Sequence, residues 1–106
     1  MFVAVYWWRV KPGKEEQFRT AWVRGSKAIR DKFGSRGARL HLAADGRFIV
    51  YAQWPDEAAW RRAREQHFDY DDPENRRLFA EPVEESGILL TMTVTDDLLQ
   101  PFKAAS

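Results

Sequence analysis

The sequence has no cysteine, almost no net charge and no long apolar run, and each absence removes a class of protein. Without Cys in 106 residues, disulfides, thiolate zinc sites and a Cys nucleophile are excluded, and the composition suits a reducing compartment. Lys and Arg total 17 against 16 Asp and Glu, so the net charge of +1 gives no field to attract nucleic acid. No segment could span a bilayer, and no basic signal-peptide region precedes the first strand pattern. We therefore expect a cytoplasmic protein with neither a nucleic-acid nor a membrane partner.

Aromatic residues, by contrast, are abundant, since seven Phe, five Trp and three Tyr make up 14% of the chain. A single domain over residues 1–106 is expected at this length, and such a chain can bury roughly two-thirds of its unfolded surface. The rings therefore have a core or a cavity to line. The two histidines, His41 and His67, are isolated and lack the spacing of metal ligands, so the sequence predicts no metal site.

The first segment, residues 2–10, is apolar on both of its alternating faces. Its β-branched and aromatic side chains predict a strand. One face carries Phe2, Ala4, Tyr6 and Trp8, and the other carries Val3, Val5 and Trp7. A strand exposed on one side would alternate apolar with polar residues. This strand is therefore predicted to be covered on both sides.

A helix is predicted from about Lys14 to Phe33, because its apolar positions recur every three or four residues and form one face. Gly25 lies on that face, where it would let the helix approach a sheet closely. Gly34 is the expected C-terminal cap. Strands follow at residues 38–42 and 47–54, joined by a hairpin turn at Asp45-Gly46.

The second half of the chain is predicted to hold two more helices and a fourth strand. Asp56 is the expected N-cap of a helix in which Ala59, Trp60 and Ala63 face inward. Asp72-Pro73 begins a short helix that runs to about Ala80. Ser86-Gly87 is expected to precede a strand over residues 88–95.

The order strand, helix, strand, strand, helix, strand predicts an α+β, ferredoxin-like fold with a four-stranded antiparallel sheet and its helices on one face. The other face of the sheet is also apolar and needs a partner. A second copy of the same sheet is the simplest partner, so a homodimer through the open sheet face is expected. The tail, residues 96–106, carries Leu98, Leu99 and Phe102 and is predicted to dock on the domain or on the partner.

Two segments carry a resemblance to a known family. Residues 6–18, YWWRVKPGKEEQF, with Trp22 downstream, and residues 51–60, YAQWPDEAAW, resemble the antibiotic biosynthesis monooxygenase (ABM) family of dimeric α+β barrels. The resemblance extends from Phe2 to about Val94. It implies a cavity between sheet and helices, two sheets packed back to back, and oxygenation of an aromatic or quinol-like substrate without a cofactor.

The family also includes haem-degrading enzymes, and this branch can be compared residue by residue. That branch resembles the chain in fold but uses an Asn in the first strand, a Trp in the second helix and a His as iron ligand. The corresponding positions here fall at Tyr6, near Ala63 and near Asp72. The three residues are missing, so haem degradation is not expected.

The same resemblance implies that Tyr6 and Trp8 point into the cavity. Tyr6 and His67 are the candidate catalytic groups, as a base or a hydrogen-bond donor. The candidate substrate-binding residues are Trp8, Trp22, Trp60 and Phe68. The competing interpretation makes Trp22 and Trp60 ordinary core residues and His67 an exposed loop residue.

Three functions therefore stay open. The first is a monooxygenase acting on a small hydrophobic aromatic substrate. The second is a non-catalytic ligand-binding or structural dimer of the same fold. The third is RNA binding, because the RNA-recognition motif shares this order of elements. Residues 46–51 have only a faint likeness to that motif, and its aromatic pattern is absent.

Overall fold

Residues 1–100 fold as one four-stranded antiparallel sheet with three helices. The computed structural model describes residues 1–100. Its elements are β1 (Phe2–Val10), α1 (Glu15–Phe33), β2 (Gly37–Leu42), β3 (Phe48–Trp54), α2 (Glu57–Glu65), α3 (Pro73–Ala80) and β4 (Val83–Thr93). The strands lie in the order β2-β3-β1-β4, and all three pairings are antiparallel. The predicted α+β, ferredoxin-like fold is confirmed.

Local chemistry sets the helix ends where the sequence predicts them. Gly34 ends α1 in the left-handed conformation, with φ of 77°, and its N–H donates to the carbonyl of Arg30 at 3.0 Å. The Asp56 carboxylate accepts the N–H of Ala59 at 2.8 Å at the start of α2. The Asp72 carboxylate caps α3 in the same way.

The fourth strand begins earlier than predicted. β4 starts at Val83, five residues before the expected Ile88, and Ser86-Gly87 lies inside it rather than ahead of it. Ser86 and Gly87 pair with Trp8 and Trp7 of β1. A Cβ atom on Gly87 would lie 2.8 Å from Nε1 of Trp7, so the indole packs where only glycine leaves room. The glycine serves this close packing and not a turn.

Each face of β1 has its own partners. On the helix face, the Phe2 ring lies 5.2 Å from the Trp60 ring and the Trp8 ring lies 5.6 Å from that of Phe18. On the open face, Val5 pairs with Leu90 of β4. Val3 and Val5 are already buried within the single chain, whereas Leu90 is 44% exposed. The apolar surface of the open face therefore lies mainly on β4.

Gly25 permits a different contact from the one predicted. It lies buried on α1, and a Cβ atom there would meet the Tyr70 hydroxyl at 3.0 Å and Nδ2 of Asn75 at 3.3 Å. Asn75 donates both to the carbonyl of Ala21 at 3.0 Å and to the Tyr70 hydroxyl at 2.9 Å. Gly25 therefore lets α1 approach α3 and the loop before it, not the sheet.

The tail is described only as far as Gln100. Leu98 and Leu99 are largely exposed in the single chain, so docking of the tail on its own domain is not seen for these two side chains. Phe102 lies outside the described residues. Within residues 1–100, none of the helices has the length and apolar character that crossing a membrane requires.

Candidate functional site

A cavity of about 470 Å³ lies between the sheet and the helices. Its floor is the helix face of the sheet, including Tyr6, Trp8 and Trp54. Trp22 and Ile29 of α1 and Phe79 of α3 line its walls. Ligand sites typically occupy about 300–1,000 Å³, with mostly apolar walls and a few placed polar groups. The cavity matches that description.

Tyr6 supplies the main polar group on the cavity floor. Its hydroxyl oxygen accepts a hydrogen bond from Nε1 of Trp60 at 2.6 Å. Since the oxygen is the acceptor in this bond, the hydroxyl proton is left to be donated elsewhere. Tyr6 lines the cavity, so a ligand oxygen bound there could accept that proton.

Burial raises the pKa of Tyr6, because a phenolate would lose its solvation there. The hydrogen bond from Trp60 and the charge of Arg64 oppose this rise without overcoming it. The hydroxyl therefore stays protonated at neutral pH. It is suited to donate a hydrogen bond and unsuited to serve as a general base.

The aromatic rings that line the cavity form two contact groups. The Tyr6 and Trp8 rings stack at 6.0 Å, and Phe79 meets the edge of Trp8 at 5.7 Å. On the other side, the Trp54 and Phe68 rings are 6.2 Å apart. Offset and edge contacts of this kind leave flat faces that another ring can contact. The lining suits a planar apolar molecule.

The loop between α2 and α3 closes one side of the cavity with His67, Phe68 and Tyr70. His67, Phe68 and Asp71 all have φ between 50° and 59°, a left-handed conformation that is costly for residues other than glycine. Two side chains hold the loop in place. Lys32 donates to the carbonyl of Asp69 at 2.6 Å, and Arg76 donates to the carbonyl of His67 at 2.9 Å.

The structure brings most of the predicted site residues together around this cavity. Tyr6, Trp8, Trp22, His67 and Phe68 all line it. Trp60 instead lies in the core behind Tyr6, with 4% of its surface exposed, and reaches the site only through its hydrogen bond to the Tyr6 hydroxyl. His41 is exposed on β2, where its Nδ1 lies 3.1 Å from the carbonyl oxygen of Ile49.

The lining residues that the sequence prediction misses include Tyr70, Arg76 and Phe79. Arg76 and Phe79 are three residues apart on α3 and so share one face. That spacing was an available signal, but it does not show which face of so short a helix turns toward the cavity. In the sequence Arg76 stands beside Arg77, and basic residues in such a pair usually belong to a solvated helix face. In the structure Arg76 is exposed and also borders the cavity.

Comparison with known proteins gives a family match and a set of fold matches. The family model described as "Antibiotic biosynthesis monooxygenase" matches residues 1–68. No curated protein sequence matches the chain.

Solved structures share the fold at low identity. Rv0793 from Mycobacterium tuberculosis is 14% identical, with a TM-score of 0.66 over 92% of this chain and 98% of its own. A candidate antibiotic biosynthesis monooxygenase from Bordetella bronchiseptica is 18% identical, with a TM-score of 0.73 over 89% of this chain and 96% of its own. The N63A variant of SnoaB, a cofactor-independent oxygenase from Streptomyces nogalater, is 20% identical, with a TM-score of 0.66 over 93% of this chain and 97% of its own.

Proposed function

Because this chain belongs to the antibiotic biosynthesis monooxygenase family, we propose that it is a monooxygenase that oxidises a planar aromatic or quinol-like substrate in the cavity, without metal or flavin. The observation that carries the proposal is the Tyr6 hydroxyl on the cavity floor. Its oxygen accepts the indole N–H of Trp60, which leaves the hydroxyl free to donate a hydrogen bond, and Tyr6 lines a space walled by aromatic rings. The fold likeness to a cofactor-independent oxygenase agrees with it.

The reaction requires the protein mainly to position the substrate and to stabilise the negative charge that develops on it. An anthrone or a quinol that loses a proton becomes an electron-rich anion, and that anion can supply electrons to molecular oxygen. For an anthrone, a new C–O bond forms, the O–O bond breaks, and equimolar quinone and water leave. The carbon is oxidised and the oxygen is reduced, so no further reductant is required.

Tyr6 would stabilise the substrate anion by donating a hydrogen bond to the oxygen where the negative charge collects. A buried neutral donor suits that role, because it stays protonated at neutral pH. His67, at the exposed side of the cavity, is the candidate base that takes the substrate proton. The aromatic walls exclude water and hold the substrate rings in one plane.

Assembly is the second part of the proposal. The open face of the sheet is expected to pack against the same face of a second copy, which would bury Leu90 and Met92 of β4, 44% and 40% exposed in the single chain. A homodimer would cover the apolar surface that the helices leave bare. A cytoplasmic location stays a prediction from the composition.

Binding can be tested by thermal melts of the protein with a panel of naphthoquinols and anthrones. Burying apolar ligand surface gains roughly 25 cal/mol per Å², so a two- or three-ring compound should bind at about micromolar strength and raise the midpoint. Ala38→Phe adds a ring at an exposed position that lines the cavity. It should reduce the rise without destabilising the protein.

The control is Ala63→Phe. Ala63 belongs to the fully buried core and not to the cavity lining, so the added ring should overpack the core and lower stability by about 1–3 kcal/mol. If no compound in the panel raises the midpoint, the cavity does not bind ligands of this class. That result would favour the alternative of a structural dimer.

A further inference from the structure

The described cavity carries one charged side chain, and it is positive. Among residues 1–100, Arg76 is the only Arg or Lys that lines the cavity, and no Asp or Glu lines it. The other polar side-chain groups of the lining residues are hydroxyls, the His67 imidazole and the indole N–H groups of Trp8, Trp22 and Trp54, none of which is charged in its ordinary neutral form. A site with this balance favours a ligand that is neutral or negative over one that is positive.

The Arg76 guanidinium is held in place but its charge is not neutralised. Nη1 donates to the carbonyl of His67 at 2.9 Å, and the guanidinium carbon lies 5.9 Å from the centre of the Tyr70 ring. A guanidinium has five N–H donors, and the bond to the His67 carbonyl uses one of them. Within residues 1–100, Arg76 forms no ion pair, whereas its neighbour Arg77 pairs with Glu81 at 3.3 Å.

The acidic residues near Arg76 are directed to other partners. Asp72 pairs with Arg24 at 2.7 Å, and Asp71 pairs with Lys32 at 3.1 Å. Asp69 accepts the backbone N–H of Asp71 at 3.0 Å. None of the three lines the cavity. The negative charge of this loop is therefore partly compensated outside the cavity, while the positive charge of Arg76 borders it.

We propose that Arg76 is a specificity residue, and that it selects planar aromatic ligands bearing an anionic oxygen group, such as a carboxylate. This inference rests on the proposed function, since it needs the cavity to accept an aromatic body. The rings of the ligand contact the apolar walls, and its anionic oxygens accept charge-assisted hydrogen bonds from the unused guanidinium donors. A neutral ligand of the same shape gains only the contact with the walls.

The test compares 2-naphthoate, which is ionised at neutral pH, with 2-naphthamide, its neutral counterpart of nearly equal shape. Calorimetric titration should give wild-type protein about tenfold tighter binding of the naphthoate, as expected for a charge-assisted bond. Arg76→Gln should remove this preference, so that the two probes bind with similar affinity. Arg77→Gln, the matched control on the outer side of α3, should keep the preference. Added salt should reduce it in wild type.

Four results would overturn the inference, and they lead to three different conclusions. Equal binding of both probes by wild type, or an unchanged preference in Arg76→Gln, removes the selective role and leaves the aromatic cavity intact. If folded Arg76→Gln binds both probes more weakly by the same factor, the role of Arg76 is to hold the His67 loop in place. Failure of wild type to bind either probe contradicts the proposed function, and the inference with it.

Discussion

At the scale of single residues, the pair Tyr6 and Trp60 connects the sheet to α2 and the core to the cavity. Trp60 is buried and donates its indole N–H to the Tyr6 hydroxyl. A buried donor without a partner costs far more than an ordinary hydrogen bond gains. The same bond therefore stabilises the fold and orients the hydroxyl toward a ligand.

Tyr6→Phe should lower the free energy of unfolding by about 1–3 kcal/mol, because it leaves the Trp60 N–H buried and unpaired. Urea unfolding followed by Trp fluorescence measures the change. Tyr51→Phe is the control, since it removes the same hydroxyl from the opposite face of the sheet, where Tyr51 pairs with Val5. Equal effects of the two substitutions would show that the bond to Trp60 contributes nothing specific.

The raised pKa of Tyr6 predicts a pH dependence with a definite sign. In the unfolded chain Tyr6 ionises near pH 10, but in the folded protein it holds its proton to higher pH. Unfolding therefore releases this proton once the pH passes about 10, which favours the unfolded state. The stability advantage of wild type over Tyr6→Phe should shrink between pH 8 and pH 11. An advantage that grows over this range would contradict the account.

At the scale of secondary-structure elements, the sequence predicts what local chemistry decides and misses what depends on distant packing. Asp56, Asp72 and Gly34 identify the helix ends because capping acts within a turn of the helix. The sequence pattern predicts a start for β4 that is five residues later than the observed start at Val83. Ser86-Gly87 looks like a turn in sequence, and only the Trp7 indole on the neighbouring strand explains the glycine.

The residues of the candidate site also divide into those that local sequence patterns predict and those whose positions depend on distant packing. Strand alternation predicts that Tyr6 and Trp8 share one face of β1, but only the family resemblance predicts that this face borders the cavity. Trp60 was predictable as an inward-facing residue, but its place behind Tyr6 depends on the angle at which α2 meets the sheet. Arg76 could not be predicted as a cavity residue, because an exposed arginine on a short helix looks the same whether or not it borders a site.

The contact of α1 with α3 gives a prediction for a whole element. Gly25→Ala would add helix propensity worth about 1 kcal/mol, yet its Cβ atom would meet the Tyr70 hydroxyl at 3.0 Å, beside the buried Asn75. We expect a net loss of stability of about 1–3 kcal/mol by urea unfolding. The loss should be smaller in a Tyr70→Phe background, because the closest contact is gone. Stabilisation by the single substitution would refute this packing.

At the scale of the whole molecule, the proposal is that the open face of the sheet packs against a second copy of the chain. Wild type at micromolar concentration should sediment at about twice 12.4 kDa. Leu90→Asp should shift it toward monomer, because a carboxylate would be buried in an apolar interface. Leu42→Asp, at an exposed position on the helix side of β2, should stay dimeric. A folded wild-type monomer would show that the face needs no second copy.

The central claim is that the cavity brings an aromatic substrate and molecular oxygen together under the Tyr6 hydroxyl. Oxygen uptake with an anthrone, corrected for the rate in buffer, tests it most directly. We expect wild type to consume oxygen and anthrone in equimolar amounts. Tyr6→Phe should do so at a rate about 100-fold lower, and Tyr51→Phe should keep the wild-type rate. Uptake no faster than in buffer, by protein that binds the anthrone, would contradict the claim and leave a binding protein in its place.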